Sequence, residues 1–108
     1  LRPLRVVKDG REIDLMREVA RRTADAWEEF LSRPLAGQTE REAIARLLDL
    51  THGRGLDPGF GACGSGPHSA SPHHSAGDRV IGPGDAVVFD WGGRLEGYFS
   101  DVTRTVFV

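Results

Sequence analysis

Two aspartates flank a glycine-rich turn in the stretch DWGGRLEGYFSD, residues 90–101. Asp90 and Asp101 are eleven positions apart, and the segments around them, DAVVFDWGG and GYFSDVTRTVFV, have the composition of two β-strands joined by a turn. A hairpin with a carboxylate on each arm brings two negative charges together, and either a shared proton or one or two divalent cations can compensate them. The stretch therefore predicts a candidate metal site.

One register of this hairpin places the two carboxylates face to face. With a four-residue loop over 94–97, Asp90 is directly opposite Asp101, and their β-carbons are about 4.5 to 5.5 Å apart. The same register makes further pairs, which are Gly93 with Tyr98, Gly92 with Phe99, Phe89 with Val102 and Val88 with Thr103. The alternatives are that both side chains are merely exposed or that another register separates them, because aspartate is common near turns.

Three histidines, His68, His73 and His74, lie upstream of Asp90 in the loop GPHSASPHHSAGDRVIGPGD. Histidine can ligate a metal, shuttle a proton or donate a hydrogen bond to a substrate carbonyl. Long loops in compact domains are often functional. The alternative is that the three side chains are solvated and do no chemistry.

Two helices precede this loop. The first is predicted over KDGREIDLMREVARRTADAWEEFLSR, with Asp9 as N-cap, Glu12 in the position of a capping box, and a buried stripe of Ile13, Met16, Ala20, Thr23, Trp27 and Phe30. The second opens with a capping box from Thr39 to Glu42, and its end is predicted at Gly53 and Gly55. Its predicted buried residues are Ala43, Ile44, Leu47 and Leu48. GFGACGSG follows as a short strand or a glycine-rich entry to one.

The order of two helices and then strands predicts an α+β fold in a single domain of 108 residues. A formal net charge of −2 gives no basic surface for nucleic acid. No apolar run is long enough to span a membrane, and the single cysteine, Cys63, is expected to be a small buried side chain in a reducing compartment. We therefore expect a cytoplasmic protein. The sequence contains neither a phosphate-binding Gly-Lys-Ser/Thr nor a Gly-x-Ser-x-Gly element.

Taken together, VVKDGREIDLMREVA, GQTERE, GSGPHSASPHH and GDAVVFDWGGRLEGYFSDVTRTVFV resemble the first half of the catalytic domain of the pita-bread metallopeptidases. The resemblance covers almost the whole chain and is nearest to the Xaa-Pro aminopeptidase and Xaa-Pro dipeptidase (prolidase) branch. Its specific part is Asp-x-Gly followed by Gly-Tyr-x-x-Asp-x-Thr-Arg-Thr. It implies half of a pita-bread fold over residues 1–108, two helices followed by an antiparallel sheet.

The resemblance also implies roles for individual residues. Asp90 is expected to ligate one metal ion, and Asp101 to bridge two divalent ions, typically Mn²⁺, with Co²⁺ or Zn²⁺ as alternatives. His73 is expected to hydrogen-bond the substrate and steady the tetrahedral intermediate, with His74 as the weaker candidate. His68 stands where relatives often carry asparagine. The implied reaction is attack of a metal-bridging hydroxide on the peptide carbonyl that precedes proline.

The family completes its metal site with a histidine and two glutamates from later segments that this sequence does not contain. We therefore expect a fragment that is inactive alone, whose partners are the missing C-terminal half of the catalytic domain and a peptide or dipeptide with proline in second position. A homodimer is an open alternative, and no nucleic acid or membrane is expected. The rival interpretations are a catalytically inactive homologue that acts as a binding module, a metal-free hydrolase on the same fold, and a domain that binds calcium adventitiously.

Overall fold

The computed structural model describes residues 10–70 and 76–108. In chain order its elements are α1 (Gly10–Leu31), α2 (Glu40–Gly53), β1 (Asp57–Ser65), a short 3-10 helix (Gly66–Ala70), β2 (Ala86–Leu95) and β3 (Tyr98–Phe107). The predicted α+β order is confirmed, and GFGACGSG is part of β1 as far as Ser65, with Gly66 opening the 3-10 helix. Over the described ranges, neither helix is both long and apolar enough to cross a lipid bilayer.

Helix α1 forms as predicted, but it buries a different stripe in its first half. Ile13 and Met16 are 37% and 42% exposed, and Ala20 is exposed as well. The buried positions are Val19, Thr23, Ala26 and Phe30. Two apolar stripes overlap on this helix, and packing against the sheet selects the one that contains Val19 and Ala26. The predicted N-cap, Asp9, lies outside the described residues.

Helix α2 confirms its prediction closely. The Thr39 side chain accepts a hydrogen bond from the Glu42 backbone, and the Glu42 carboxylate accepts one from the Thr39 backbone. This capping box satisfies backbone donors that a helix start otherwise leaves without partners. The helix ends at Gly53, and Gly55 adopts a positive φ of 84° just beyond it. Ala43, Ile44 and Leu47 are buried, while Leu48 is half-buried against the core.

The three strands form an antiparallel sheet in the order β1-β2-β3. The predicted hairpin of β2 and β3 is present, but its predicted register is wrong. Asp90 is paired with Thr103, Gly92 with Asp101, Gly93 with Ser100, and Leu95 with Tyr98. Correspondingly, Phe89 is opposite Arg104 and Val88 is opposite Thr105.

The reason for the new register is a two-residue turn. Glu96 and Gly97 have φ values of 49° and 85°, so both central residues are left-handed, as a type I′ turn requires. This turn suits the right-handed twist of the strands better than the predicted four-residue loop. The shift relative to the prediction is two residues, so every side chain keeps its face.

An aromatic cluster joins α1 to one face of the sheet. Trp27 stacks on Trp91 with ring centroids 5.2 Å apart, and Phe30 packs edge-on against Phe89 at 5.0 Å. Cys63 is buried in the same core, and burial raises the pKa of its thiol to about 12. The expectation of a small buried cysteine is thus confirmed, and this face of the sheet is covered.

Candidate functional site

Asp90 and Asp101 lie on the same face of the sheet, as the metal hypothesis requires. Asp101 is opposite Gly92, which is two residues from Asp90 on the same strand, so the two aspartates are diagonal neighbours. Phe89 and Trp91, which alternate with Asp90 on β2, point to the opposite face and pack against α1. The hairpin therefore presents both carboxylates away from the helices.

The two strands hold their aspartates differently. β2 is the central strand and is hydrogen-bonded on both sides, whereas within the described residues β3 pairs with β2 alone. Asp90 is half-buried and Asp101 is exposed. The Thr103 hydroxyl donates a hydrogen bond to Asp90 Oδ1 at 3.4 Å. One carboxylate is thus fixed between two strands, and the other stands at the solvent side of the pair.

Burial raises the pKa of Asp90 above its ordinary value. The negative charge of Asp101 and a side-chain hydrogen bond to it raise this pKa further, while the hydrogen bond from Thr103 opposes the shift. Each of the raising causes disfavours the ionised form of Asp90 beside its neighbour. A bound cation would reverse this balance, because it attracts both carboxylates. The donor set, two hard oxygen ligands on a hairpin, fits a divalent metal ion.

The described residues supply only part of such a site. Residues 10–70 and 76–108 contain no group of three or more histidine, cysteine, aspartate or glutamate side chains placed to hold a metal ion. His73 and His74, the predicted substrate-binding candidates, lie outside the described residues. The structure therefore brings Asp90 and Asp101 together and leaves the role of His73 a prediction.

An aromatic pair lies on the same face as the two aspartates. Phe60 and Phe99 have ring centroids 5.7 Å apart and are 38% and 46% exposed. Phe99 is two residues from Asp101 and covers Gly92, where an added β-carbon would lie 2.6 Å from its ring. An apolar surface therefore borders the carboxylates.

His68 does not join the aspartates. Its Nδ1 lies 2.9 Å from Oε2 of Glu40, a carboxylate that is 0% exposed at the start of α2. Ser65 donates to the same oxygen from its backbone N–H at 2.8 Å and from its hydroxyl at 2.6 Å. The Ser65 hydroxyl in turn accepts from Arg79, which forms an ion pair with Asp85. This polar network is buried at Glu40 and Ser65, is partly exposed at His68 and Arg79, and ends beside β2.

Glu40 was missed at the sequence level, although the sequence contains a signal for it. It stands three, four and seven positions before Ala43, Ile44 and Leu47. That spacing puts its carboxylate on the buried stripe of α2. A carboxylate on an apolar stripe needs several hydrogen-bond donors, so it indicates a buried network.

Comparisons with known proteins agree with this architecture. The sequence model of metallopeptidase family M24 matches residues 14–108. The "Probable dipeptidase PepE" of Mycobacterium tuberculosis is 41% identical over 97% of this chain and 28% of its own length. The "Xaa-Pro dipeptidase" of Pyrococcus horikoshii is 34% identical over 100% of this chain and 31% of its own.

A solved structure matches equally well. The crystal structure of an X-Pro aminopeptidase from Thermotoga maritima superposes with a TM-score of 0.85 at 35% sequence identity, over 95% of this chain and 30% of that one. The chain thus spans about 30% of the length of the proteins it matches.

Proposed function

This chain belongs to metallopeptidase family M24, and we propose that it is part of a metal-dependent peptidase that cleaves the bond between an N-terminal residue and a following proline. The observation that carries the proposal is the diagonal pair of Asp90 and Asp101 on the open face of the hairpin. Two relatives named as Xaa-Pro dipeptidase and X-Pro aminopeptidase support the substrate class.

In this proposal Asp90 and Asp101 would both hold divalent cations when these are bound. Mn²⁺ is the ion that the resemblance to the Xaa-Pro peptidase branch implies, and carboxylate oxygens suit it as they suit other hard cations. When bound, the ions polarise a water molecule and the substrate carbonyl. Thr103 keeps Asp90 oriented through its hydrogen bond.

His73 is assigned the role of a hydrogen-bond donor to the substrate. It helps to stabilise the negative charge that develops on the carbonyl oxygen during attack. Because the aspartates alone make a weak site, the remaining metal ligands come from polypeptide outside this chain. The isolated chain of 108 residues is therefore expected to have no peptidase activity.

The test uses the parent polypeptide that contains these residues. Purified protein is freed of metal, reloaded with Mn²⁺ and assayed for release of the first residue from Xaa-Pro substrates. We expect metal-dependent cleavage, and we expect Asp101→Asn to lower kcat/KM by at least about a hundredfold because a carboxylate that would hold the metal loses its charge. Isothermal titration should find fewer bound Mn²⁺ ions in this variant.

A matched control is Asp57→Asn. Asp57 is an exposed aspartate on β1 whose ion pair with Arg94 spans 3.0 Å. Exposed pairs contribute little to stability, so this variant should keep the wild-type rate and the wild-type Mn²⁺ stoichiometry. A parent protein that binds Xaa-Pro peptides without cleaving them under any metal would overturn the proposal and favour the non-catalytic binding module.

A further inference from the structure

Ser100 lies immediately before Asp101 on β3, and its side chain is on the other face of the sheet. Successive residues of a strand point to opposite faces, so Asp101 faces away from the helices and Ser100 faces α1. The hydroxyl oxygen of Ser100 lies 2.9 Å from that of Thr23, a residue of α1 that is 3% exposed. The residue that precedes a proposed metal ligand is therefore hydrogen-bonded to a helix.

The hydrogen atoms in this contact can be assigned to their donors. A hydroxyl has one hydrogen to donate, and the Thr23 hydroxyl lies 2.8 Å from the Val19 carbonyl, which only accepts. The hydrogen between the two hydroxyls therefore comes from Ser100. The Ser100 hydroxyl in turn accepts from the Gly93 N–H at 3.3 Å. The Gly93 carbonyl, 3.4 Å from the same hydroxyl, is its alternative acceptor.

This hydrogen bond supports the less protected strand of the hairpin. Within the described residues β3 pairs with β2 alone, and Asp101 is exposed. A carboxylate on such a strand holds a metal ion well only if the strand keeps its place beside β2. The bond from Ser100 to Thr23 attaches β3 to α1, and α1 packs on β2 through the stacked rings of Trp27 and Trp91. One helix thus holds both strands of the hairpin.

We propose that Ser100 is a positioning residue for metal binding: by donating to Thr23, its hydroxyl holds β3 against α1 and fixes Asp101 beside Asp90. The inference rests on the proposed function, because it takes Asp101 to hold a metal ion. The Ser100 side chain is on the opposite face of the sheet from the two carboxylates. It acts through the backbone of β3 and through the pairing of β3 with β2.

Two substitutions at Thr23 separate the hydroxyl from the rest of the side chain. Thr23→Val removes the hydroxyl and keeps the branched shape. The Ser100 hydroxyl then loses its acceptor on α1 and turns to the Gly93 carbonyl, which releases β3 from the helix. Thr23→Ser keeps the hydroxyl and loses only a methyl group.

Thr51→Val is the matched control. Thr51 is 0% exposed on α2, and its hydroxyl also donates to the carbonyl four residues earlier at 2.8 Å. Among the residues that the structure describes, it makes no side-chain hydrogen bond to β3. Thr51→Val therefore removes the same kind of buried hydrogen bond inside a helix and leaves the link between α1 and β3 intact.

The first measurement is Mn²⁺ binding by isothermal titration of the metal-free parent polypeptide. We expect Thr23→Val and Ser100→Ala each to weaken Mn²⁺ binding by about tenfold, because groups that support metal ligands change affinity on this scale. The double variant should bind no more weakly than the worse single variant, because both changes remove the same hydrogen bond. Thr23→Ser and Thr51→Val should stay within about threefold of wild type.

The second measurement is amide hydrogen exchange, which needs no metal. The amides of β3 around Asp101 should exchange faster in Thr23→Val than in wild type, because a strand with fewer attachments opens locally at a lower free energy. The amides of α2 should keep their wild-type rates in this variant. In Thr51→Val the amides around Asp101 should be unchanged.

Three results would overturn the inference. One is wild-type Mn²⁺ affinity in Thr23→Val or in Ser100→Ala. Another is an equal loss in Thr23→Val and Thr51→Val, which general destabilisation of the fold would produce. The third is a failure of Thr23→Ser to retain binding. If the wild-type parent protein binds no Mn²⁺, the proposed function fails, and the exchange rates of β3 then decide separately whether Ser100 attaches this strand to α1.

Discussion

Asp101 lies opposite Gly92, and Asp90 lies opposite Thr103, so the two acidic side chains meet across a diagonal of the hairpin. Diagonal neighbours have their Cα atoms about 7 to 8 Å apart, farther than directly opposed residues, yet their side chains still reach each other. The diagonal spacing lets the metal-free pair persist with less repulsion than direct opposition would cause.

Asp90→Asn should change how stability depends on pH in the metal-free protein. The folded-state pKa of Asp90 is raised by burial and by Asp101, so the folded state binds the proton more tightly than the unfolded state. Protonation of Asp90 therefore stabilises the folded state at pH values below its unfolded-state pKa. This stabilisation is lost as the pH rises through its folded-state pKa. We measure the melting temperature of the variant minus that of wild type with a chelator present. This difference should be larger at about pH 7 than at about pH 3.5, because only wild type loses the stabilisation.

Mn²⁺ supplies the contrast for that experiment. It should raise the melting temperature of the wild-type parent protein near neutral pH and raise that of Asp90→Asn less. If the difference in melting temperature between Asp90→Asn and wild type stays constant with pH, the raised pKa does not belong to Asp90.

Asp85→Asn should show the opposite pH dependence. The hydrogen bond from Arg79, and then that from the Gly82 N–H, lower the pKa of Asp85. A lowered folded-state pKa gives stability that is present above the unfolded pKa and is lost as pH falls through the folded pKa. Thermal melts should therefore show that Asp85→Asn has a lower melting temperature than wild type near pH 7. This deficit should shrink as the pH falls toward about pH 2. Asp78→Asn, which removes an exposed ion pair with Arg41, should have little effect at either pH.

Gly92→Ala should destabilise the sheet. A β-carbon at this position would lie 2.1 Å from the Ser100 carbonyl oxygen and 2.6 Å from the Phe99 ring. The backbone contact cannot relax by a simple rotamer change, so we expect a loss of about 1 to 3 kcal/mol or more in the free energy of unfolding. Gly82→Ala is the control, because an added β-carbon there meets nothing within 4 Å. Equal stability of the two variants in chemical denaturation would refute this packing.

The turn offers a test of the register. Gly97 has a φ of 85° with open space around it, so Gly97→Ala should cost about 1 kcal/mol through backbone strain alone. Glu96 is a non-glycine residue at positive φ, and Glu96→Asn should be neutral or stabilising, because asparagine tolerates this region better. Arg11→Gln controls for the exposed ion pair between Arg11 and Glu96. If Gly97→Ala is as stable as wild type, the two-residue turn is wrong.

The sequence predicted which face of the hairpin each side chain occupies, because that depends only on the alternation of side chains along a strand. It did not predict the pairing register, because that depends on the turn. Strands of period two place Asp90 and Asp101 on one face in both the two-residue and the four-residue loop. The register itself follows from Glu96 adopting a left-handed conformation. Glutamate does not signal that conformation as asparagine or glycine does, so composition favoured the longer loop.

The helices also have one feature that the sequence predicted and one that it did not. The capping box of Thr39 and Glu42 is a local interaction, and local interactions are readable from spacing. The buried face of α1 is not local, because Met16 and Val19 compete for the same sheet and tertiary packing decides between them. Met16 instead lines a groove between α1 and β3 together with Trp27.

The buried thiol has a practical consequence for following His73 in solution. Cys63 is the single cysteine of these 108 residues, and burial raises its pKa to about 12. Near neutral pH the thiol therefore stays protonated, and the reactive thiolate is scarce. A maleimide or nitroxide attached to a cysteine introduced by His73→Cys would therefore report from position 73 with little background from Cys63.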